Sequence, residues 1–339
     1  MDRSVLLPVI VLVLSVTIPQ IAVSQPGSAP NVAGADPLYD VRVDLDHGAE
    51  VAEREVDDAR LVRAAAEAGL RFEKTSAPSR TDGLDIPLYI FEPMEPSDVR
   101  RALVWVYGGI HDRFGTNYFP FIREAVLEHG TLVVVPEYRG ARGYGPAFYG
   151  AMDYGGLEVD DALTAADVAA KRAGERVPVG VIGWSHGGLI ALLAASRDTE
   201  RFDAVVASVP VADLVKRMAY KGPEYHRLFI ELPTIGGPVH ERLQTYLDRS
   251  PIHQIDRLTA RVMVQVATND DDVHFIEAEP LVHTLRQKLG ERAEVLVFDD
   301  PPHGHYFNRQ VDLETLTRRD TPAQAESWAA IWRFLHQSL

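Results

Sequence analysis

The sequence predicts an α/β fold built on a mostly parallel central sheet, and two observations carry that reading. Six short runs are apolar at nearly every position: 102–107 (ALVWVY), 131–135 (TLVVV), 177–182 (VPVGVI), 204–209 (AVVASV), 262–266 (VMVQV) and 293–298 (AEVLVF). Strands that are covered on both faces read this way. Helix-like segments lie between them at 119–128, 160–172, 189–195 and 277–288, with a last one at 323–339 carrying Trp328, Trp332 and Leu335 at roughly helical spacing. Strand and helix in alternation are what a parallel sheet with crossover helices requires.

Composition narrows the class. The chain has 339 residues, 34 Lys and Arg against 49 Asp and Glu, a net charge of −15, and no cysteine. The acidic balance argues against nucleic acid as a partner, because phosphate binding needs clustered Lys and Arg. Absent cysteine excludes disulfides, thiolate metal sites and a cysteine nucleophile.

From the amino terminus, residues 1–24 combine Arg3, an apolar run over 5–16 broken by Pro8 and Ser15, and Ala22-Val23-Ser24. That is the pattern of a cleavable signal peptide, so a secreted or periplasmic protein is expected. The apolar run is shorter than the ~20 residues a membrane-spanning helix needs, so no stable anchor is expected after cleavage. Residues 25–39 read as a flexible Pro/Gly/Ala-rich linker, and 40–339 as one domain with a short N-terminal extension. The extension begins with a helix near 50–70. Strands at 71–75 and 86–91 follow, joined by a turn at Asp82-Gly83. Residues 211–255 break the alternation and are expected to form an excursion over one face that shapes a pocket. Nothing in the sequence selects an oligomeric state.

The chemistry centres on Gly183-Trp184-Ser185-His186-Gly187-Gly188, followed at once by the apolar segment LIALLAAS. A G-x-S-x-G pattern between strand and helix holds a serine at the tip of a strained turn, where only glycine tolerates the close backbone approach. The helix that follows aims its free N–H groups at the reacting centre. A serine needs a base, and in this architecture the order is serine, acid, histidine. The run at 262–266 leads into Asp270-Asp271-Asp272-Val273-His274, and the last strand leads into Pro301-Pro302-His303-Gly304-His305. Ser185, Asp270 and His303 therefore stand in the expected order, each just after a strand.

These motifs resemble the catalytic domain of the prolyl oligopeptidase family, within the α/β-hydrolase superfamily and close to its dipeptidyl-peptidase and acylaminoacyl-peptidase branches. The resemblance rests on Val106-Tyr107-Gly108-Gly109, Tyr138-Arg139-Gly140, Gly143-Tyr144-Gly145, the serine motif, the loop 268–275 and His303-Gly304, spanning about residues 72–339. It implies Ser185 as nucleophile, His303 as base and Asp270 as its orienter. The oxyanion hole would then come from the His186 N–H and the Tyr107 hydroxyl, a core aromatic at a strand end being the other reading of Tyr107. Val211, Leu214 and Val273 match positions lining the family's acyl-side pocket, and suit a small or medium apolar group. Arg139 and the glycine-rich loop behind it are expected to brace the site.

Two departures bear on the substrate. About 80 residues precede the first hydrolase strand, too few for the family's β-propeller. Two positions after the acid, where those peptidases often place Arg or Asn, this chain has Asp272, which when ionised only accepts. A small-molecule ester or a peptide is the expected substrate, with a carboxylesterase lacking peptidase activity as the alternative. No metal or organic cofactor is expected. A metal hydrolase using Asp270, Asp271, Asp272, His274 and the His303/His305 pair is a further reading. A non-catalytic secreted binding protein on the same fold is another. The net charge is chiefly a solubility property, although the acids around residue 270 are also expected to discourage anionic substrates.

Overall fold

The computed structural model describes residues 47–174 and 176–339. The expected leader over 1–24 and linker over 25–39 lie outside the described residues. Among the described residues, no helix is long and apolar enough to cross a membrane.

Helix α1 (His47–Ala68) leads into the hairpin β1 (Arg71–Pro78) and β2 (Asp85–Glu92), antiparallel and closed by a turn in which Gly83 has φ +72°. The alternation begins with β3 (Arg101–Val106), α2 (Phe119–Leu127) and β4 (Thr131–Pro136). The short α3 (Pro146–Tyr149) and the long α4 (Glu158–Ala173) follow, then β5 (Val179–Trp184), α5 (His186–Arg197) and β6 (Ala204–Ser208). The excursion folds as α6 (Leu214–Tyr220), α7 (Pro223–Glu231) and α8 (Val239–Asp248). It is succeeded by β7 (Arg261–Ala267), α9 (Phe275–Leu289), β8 (Ala293–Phe298), the small hairpin β9 (Val311–Asp312) and β10 (Thr317–Arg318), and α10 (Pro322–Ser338).

Among the described residues, the main sheet has eight strands in the order β1-β2-β4-β3-β5-β6-β7-β8. From β4 to β8 every pairing is parallel, while β1–β2 and β2–β4 are antiparallel. The architecture is that of an α/β hydrolase, as expected. All residues of β3, β4, β5 and β6 are buried, which is why their sequences are continuously apolar. One strand departs from that expectation. Among the described residues β8 pairs only with β7, and as an edge strand it leaves Val297 41% exposed despite its apolar composition. Pro178 sets another boundary: having no N–H for the ladder, it stays outside β5 and only its carbonyl accepts, from Ala102 N–H.

Helices α4 and α5 pack together against β3–β6. Helices α2 and α10 meet through Phe121 and Trp328, whose ring centroids are 4.8 Å apart, and Trp328 also stacks on Trp105 of β3 at 5.9 Å. The segments after β5, β7 and β8 all leave the carboxyl edge of the sheet, where parallel α/β proteins gather their reactive groups. The excursion supplies an apolar cleft of about 320 Å³, lined in part by Val215, Met218, Ile230, Val239 and Tyr246.

Candidate active site

Ser185 occupies the tip of the β5–α5 turn with φ +53° and ψ −119°, a conformation that a non-glycine residue holds only when its surroundings enforce it. Two glycines explain the turn. A Cβ on Gly183 would overlap the backbone of Gly187, and a Cβ on Gly187 would overlap the carbonyls of Val106 and Tyr107. The Ser185 N–H donates to Ser208 O (2.9 Å), and its carbonyl accepts from Val211 N–H (3.2 Å), so β6 and the segment beyond it clamp the turn. His186 opens α5, leaving its N–H without an intrahelical acceptor.

Asp270 follows β7 and is buried. Its Oδ1 accepts from the N–H groups of Asp272 (2.9 Å) and Val273 (2.8 Å), which fix the carboxylate before any partner arrives. The partner is His305, whose Nδ1 lies 2.9 and 2.8 Å from the two carboxylate oxygens. An ionised carboxylate only accepts, so the Nδ1 that faces it carries a proton.

This corrects the expectation for His303. His303 has φ +71° and an exposed side chain, whereas His305 is 2% exposed. The cause is the turn after β8. Asn269 Nδ2 donates to Asp300 Oδ1 (2.8 Å) and Pro301 O (3.0 Å), pulling the loop against the Asp270 segment. Gly304 then passes so close that a Cβ there would lie 3.0 Å from Asn269 O. A 3₁₀ turn over Gly304–Tyr306 swings the next side chain, His305, inward. Asn308 secures the far side: its Oδ1 accepts from Trp184 Nε1 (3.2 Å), its carbonyl from Trp328 Nε1 (2.8 Å), and its Nδ2 donates to Ser327 Oγ (2.9 Å).

The structure brings Asp270 and His305 together on the edge that carries Ser185. Among the described residues, no hydrogen bond joins the Ser185 hydroxyl to either histidine. His305 Nε2 instead lies 3.8 Å from Asp272 Oδ2. Hydrogen bonds of this kind often tighten only when substrate binds.

Asp272 has its own partners, Lys221 Nζ at 2.5 Å and Arg217 Nη2 at 3.4 Å. Burial opposes its charge, but Arg217, His305 and Lys221 together outweigh burial and hold its pKa down to about 2. Of the acids considered above as metal ligands, Asp270 is engaged by backbone N–H groups and His305, and Asp272 by Lys221 and Arg217, while His274 stacks on Tyr220 at 4.2 Å. Among the described residues, the side chains grouped closely enough to share an ion are Glu124, Glu128 and His129, of which Glu124 is paired with Arg318.

Tyr107 also departs from expectation. Its ring is fully buried and stacks on Tyr138 at 4.6 Å, and its hydroxyl donates to Glu137 Oε2 (2.6 Å) rather than facing Ser185. Glu137 follows β4, and its Oε1 accepts from Phe114 N–H (3.0 Å). Burial raises the Glu137 carboxyl to about 8, even though Tyr107 and the Phe114 N–H pull the other way. The folded pKa lies above the ordinary 4.5, so the stability this group contributes is full below pH 4.5 and is lost as pH rises toward 8. Glu137→Gln is expected to flatten that loss, which amounts to roughly 3–5 kcal/mol. Urea unfolding of both proteins at pH 5 and pH 8.5 measures it.

His186 is held by a second buried acid, its Nε2 lying 2.6 Å from Glu158 Oε2, with Tyr154 edge-on at 4.4 Å. Arg139, expected to brace the site, is buried and ties Asp161 of α4 (2.8 Å) to Asp82 of the β1–β2 turn (2.8 Å). Val211, Leu214 and Val273, expected in an acyl-side pocket, are 1, 0 and 1% exposed and belong to the core that backs the site. Glu137, Glu158 and Arg217 carry no local sequence signal, since each acquires its partner only through the tertiary fold.

A model of the prolyl oligopeptidase family matches residues 117–319. The chain is 27% identical over 228 residues to the uncharacterized peptidase YuxL of Bacillus subtilis, covering 66% of this chain and 34% of that protein. It is 26% identical over 235 residues to acylamino-acid-releasing enzyme 1 of Oryza sativa, covering 66% and 30%. The chain thus spans about a third of the length of these relatives. In structure it is similar to an acylaminoacyl peptidase of Pyrococcus horikoshii (TM-score 0.65, 18% identity, 80% of this chain and 42% of that one). It is also similar to a puromycin-hydrolyzing peptidase of Mycobacterium tuberculosis (TM-score 0.59, 23% identity, 73% and 37%). The family match covers more than half of the sequence: the chain belongs to the prolyl oligopeptidase family.

Proposed function

We propose that this chain is a serine hydrolase of peptidase type, acting on amide and ester bonds through an acyl-enzyme at Ser185. His305 is the base and Asp270 its orienter. The observation that carries the proposal is the buried Asp270–His305 pair on the sheet edge where Ser185 is held in a strained turn. Family membership and the peptidase names of the relatives support it.

His305 Nε2 takes the Ser185 proton as Oγ attacks the carbonyl. Asp270 keeps the imidazole in the Nδ1–H tautomer and steadies the imidazolium. The His186 N–H and the positive end of α5 face the developing oxyanion, and a donor of this kind is worth about 3–4 kcal/mol in well-studied hydrolases. Water then releases the acyl group.

Acyl p-nitrophenyl esters run beside aminoacyl and prolyl p-nitroanilides test the reading. Wild type is expected to turn over both classes, and Ser185→Ala neither. Esters without anilides would assign a carboxylesterase instead. Equal activity of Ser185→Ala would end the serine-hydrolase reading.

A further inference from the structure

The turn that carries His305 continues to Arg309, whose N–H donates to Tyr306 O (3.1 Å). The Arg309 guanidinium lies over the rings of Tyr306 (5.1 Å) and Tyr118 (5.9 Å), and its Nη1 donates to the Tyr118 hydroxyl (3.1 Å). A Cβ built on Gly108 would sit 3.3 Å from Ser185 Cβ and 3.5 Å from Arg309 Nη1, so cation and nucleophile flank the same glycine.

Among the described residues, Arg309 differs from the other arginines around the site in lacking a counter-charge. Among the described residues it forms no ion pair, and its Nε is buried without a hydrogen-bond partner. Other arginines around the site are matched, Arg217 by Asp272 and Glu277, Arg139 by Asp161 and Asp82. Two nearby carboxylates are matched too, Asp272 by Lys221 and Arg217 and Asp112 by Arg142, while Asp271 forms no ion pair among the described residues. The discouragement of anions expected from the acids near residue 270 is therefore blunted at Asp272.

A guanidinium laid over aromatic rings, with unused N–H donors, is built for a planar carboxylate. The base of a serine hydrolase returns its proton to the leaving group, and Arg309 lies four residues beyond the residue assigned that role. On the serine-hydrolase reading above, we infer that Arg309 binds a carboxylate on the leaving group. The substrate class is then an acylated amino acid or short peptide whose departing amine bears a free C-terminal carboxylate. The Ser185 Oγ–acyl bond forms as the C–N bond breaks, and the serine proton passes through His305 to the leaving nitrogen. Water then splits the ester, returning a proton to Oγ and freeing the acyl product as an acid.

The test compares blocked dipeptides with a free or an amidated C-terminus, using wild type, Arg309→Met and Arg309→Lys, with kcat/KM as the readout. Wild type is expected to favour the free acid by about tenfold or more, the scale of one charge-assisted hydrogen bond. Arg309→Met removes the preference, and Arg309→Lys restores part of it. No preference in wild type, which needs no variant to read, would overturn the inference. So would an equal loss on acid and amide in Arg309→Met. Labelling by a fluorophosphonate probe separates the two levels. A labelled wild type without acid preference defeats only the role of Arg309, whereas an unlabelled wild type defeats the serine-hydrolase reading beneath it.

Discussion

His305→Ala is expected to lower kcat by about 10⁴-fold or more, the loss seen when the base of a Ser–His–Asp system is removed. His303→Ala, two residues away, is expected to stay within about threefold of wild type, since surface substitutions away from special contacts are near neutral. The contrast follows from geometry: His305 lies 2.8 Å from Asp270 and is buried, while His303 is exposed. Steady-state rates on one chromogenic ester measure both. A large loss in His303→Ala with an active His305→Ala would restore the reading taken from sequence.

Gly187→Ala is expected to destabilise the fold by about 4 kcal/mol or more, at the diagnostic end of single substitutions. The added Cβ would meet the carbonyls of Val106 and Tyr107, which belong to the end of a central strand and cannot retreat without disturbing its pairing with β5. Gly222→Ala supplies the comparison. Its Cβ meets nothing within 4 Å and its φ is −75°, so a change within about 1 kcal/mol is expected. Urea unfolding midpoints distinguish the two. Equal midpoints for Gly187→Ala and wild type would show that the turn is looser than the backbone contacts imply.

The central sheet was legible because strands buried on both faces have no polar register to obscure them, as in β3 to β6. β8 has equally apolar sequence but stands at the edge, and strand position within a sheet is a property of topology rather than composition. The serine turn was legible because its constraints are local: Gly183 and Gly187 are demanded by contacts within a few residues or with the adjacent strand end. The choice between His303 and His305 was not. It depends on Gly304 passing Asn269 and on Asn308 reaching Trp184 and Ser327, contacts between segments distant in sequence. Tyr107 followed the same rule. At a strand end its ring could face either the reacting serine or the core, and Glu137, placed by the neighbouring β4, directs the hydroxyl to the core.

Mapping a fluorophosphonate adduct by peptide mass spectrometry in wild type, His303→Ala and His305→Ala tests the central claim most directly. The geometry predicts a single adduct on Ser185 in wild type and His303→Ala, and its near absence in His305→Ala. An adduct on another residue, or undiminished labelling of Ser185 in His305→Ala, would contradict it.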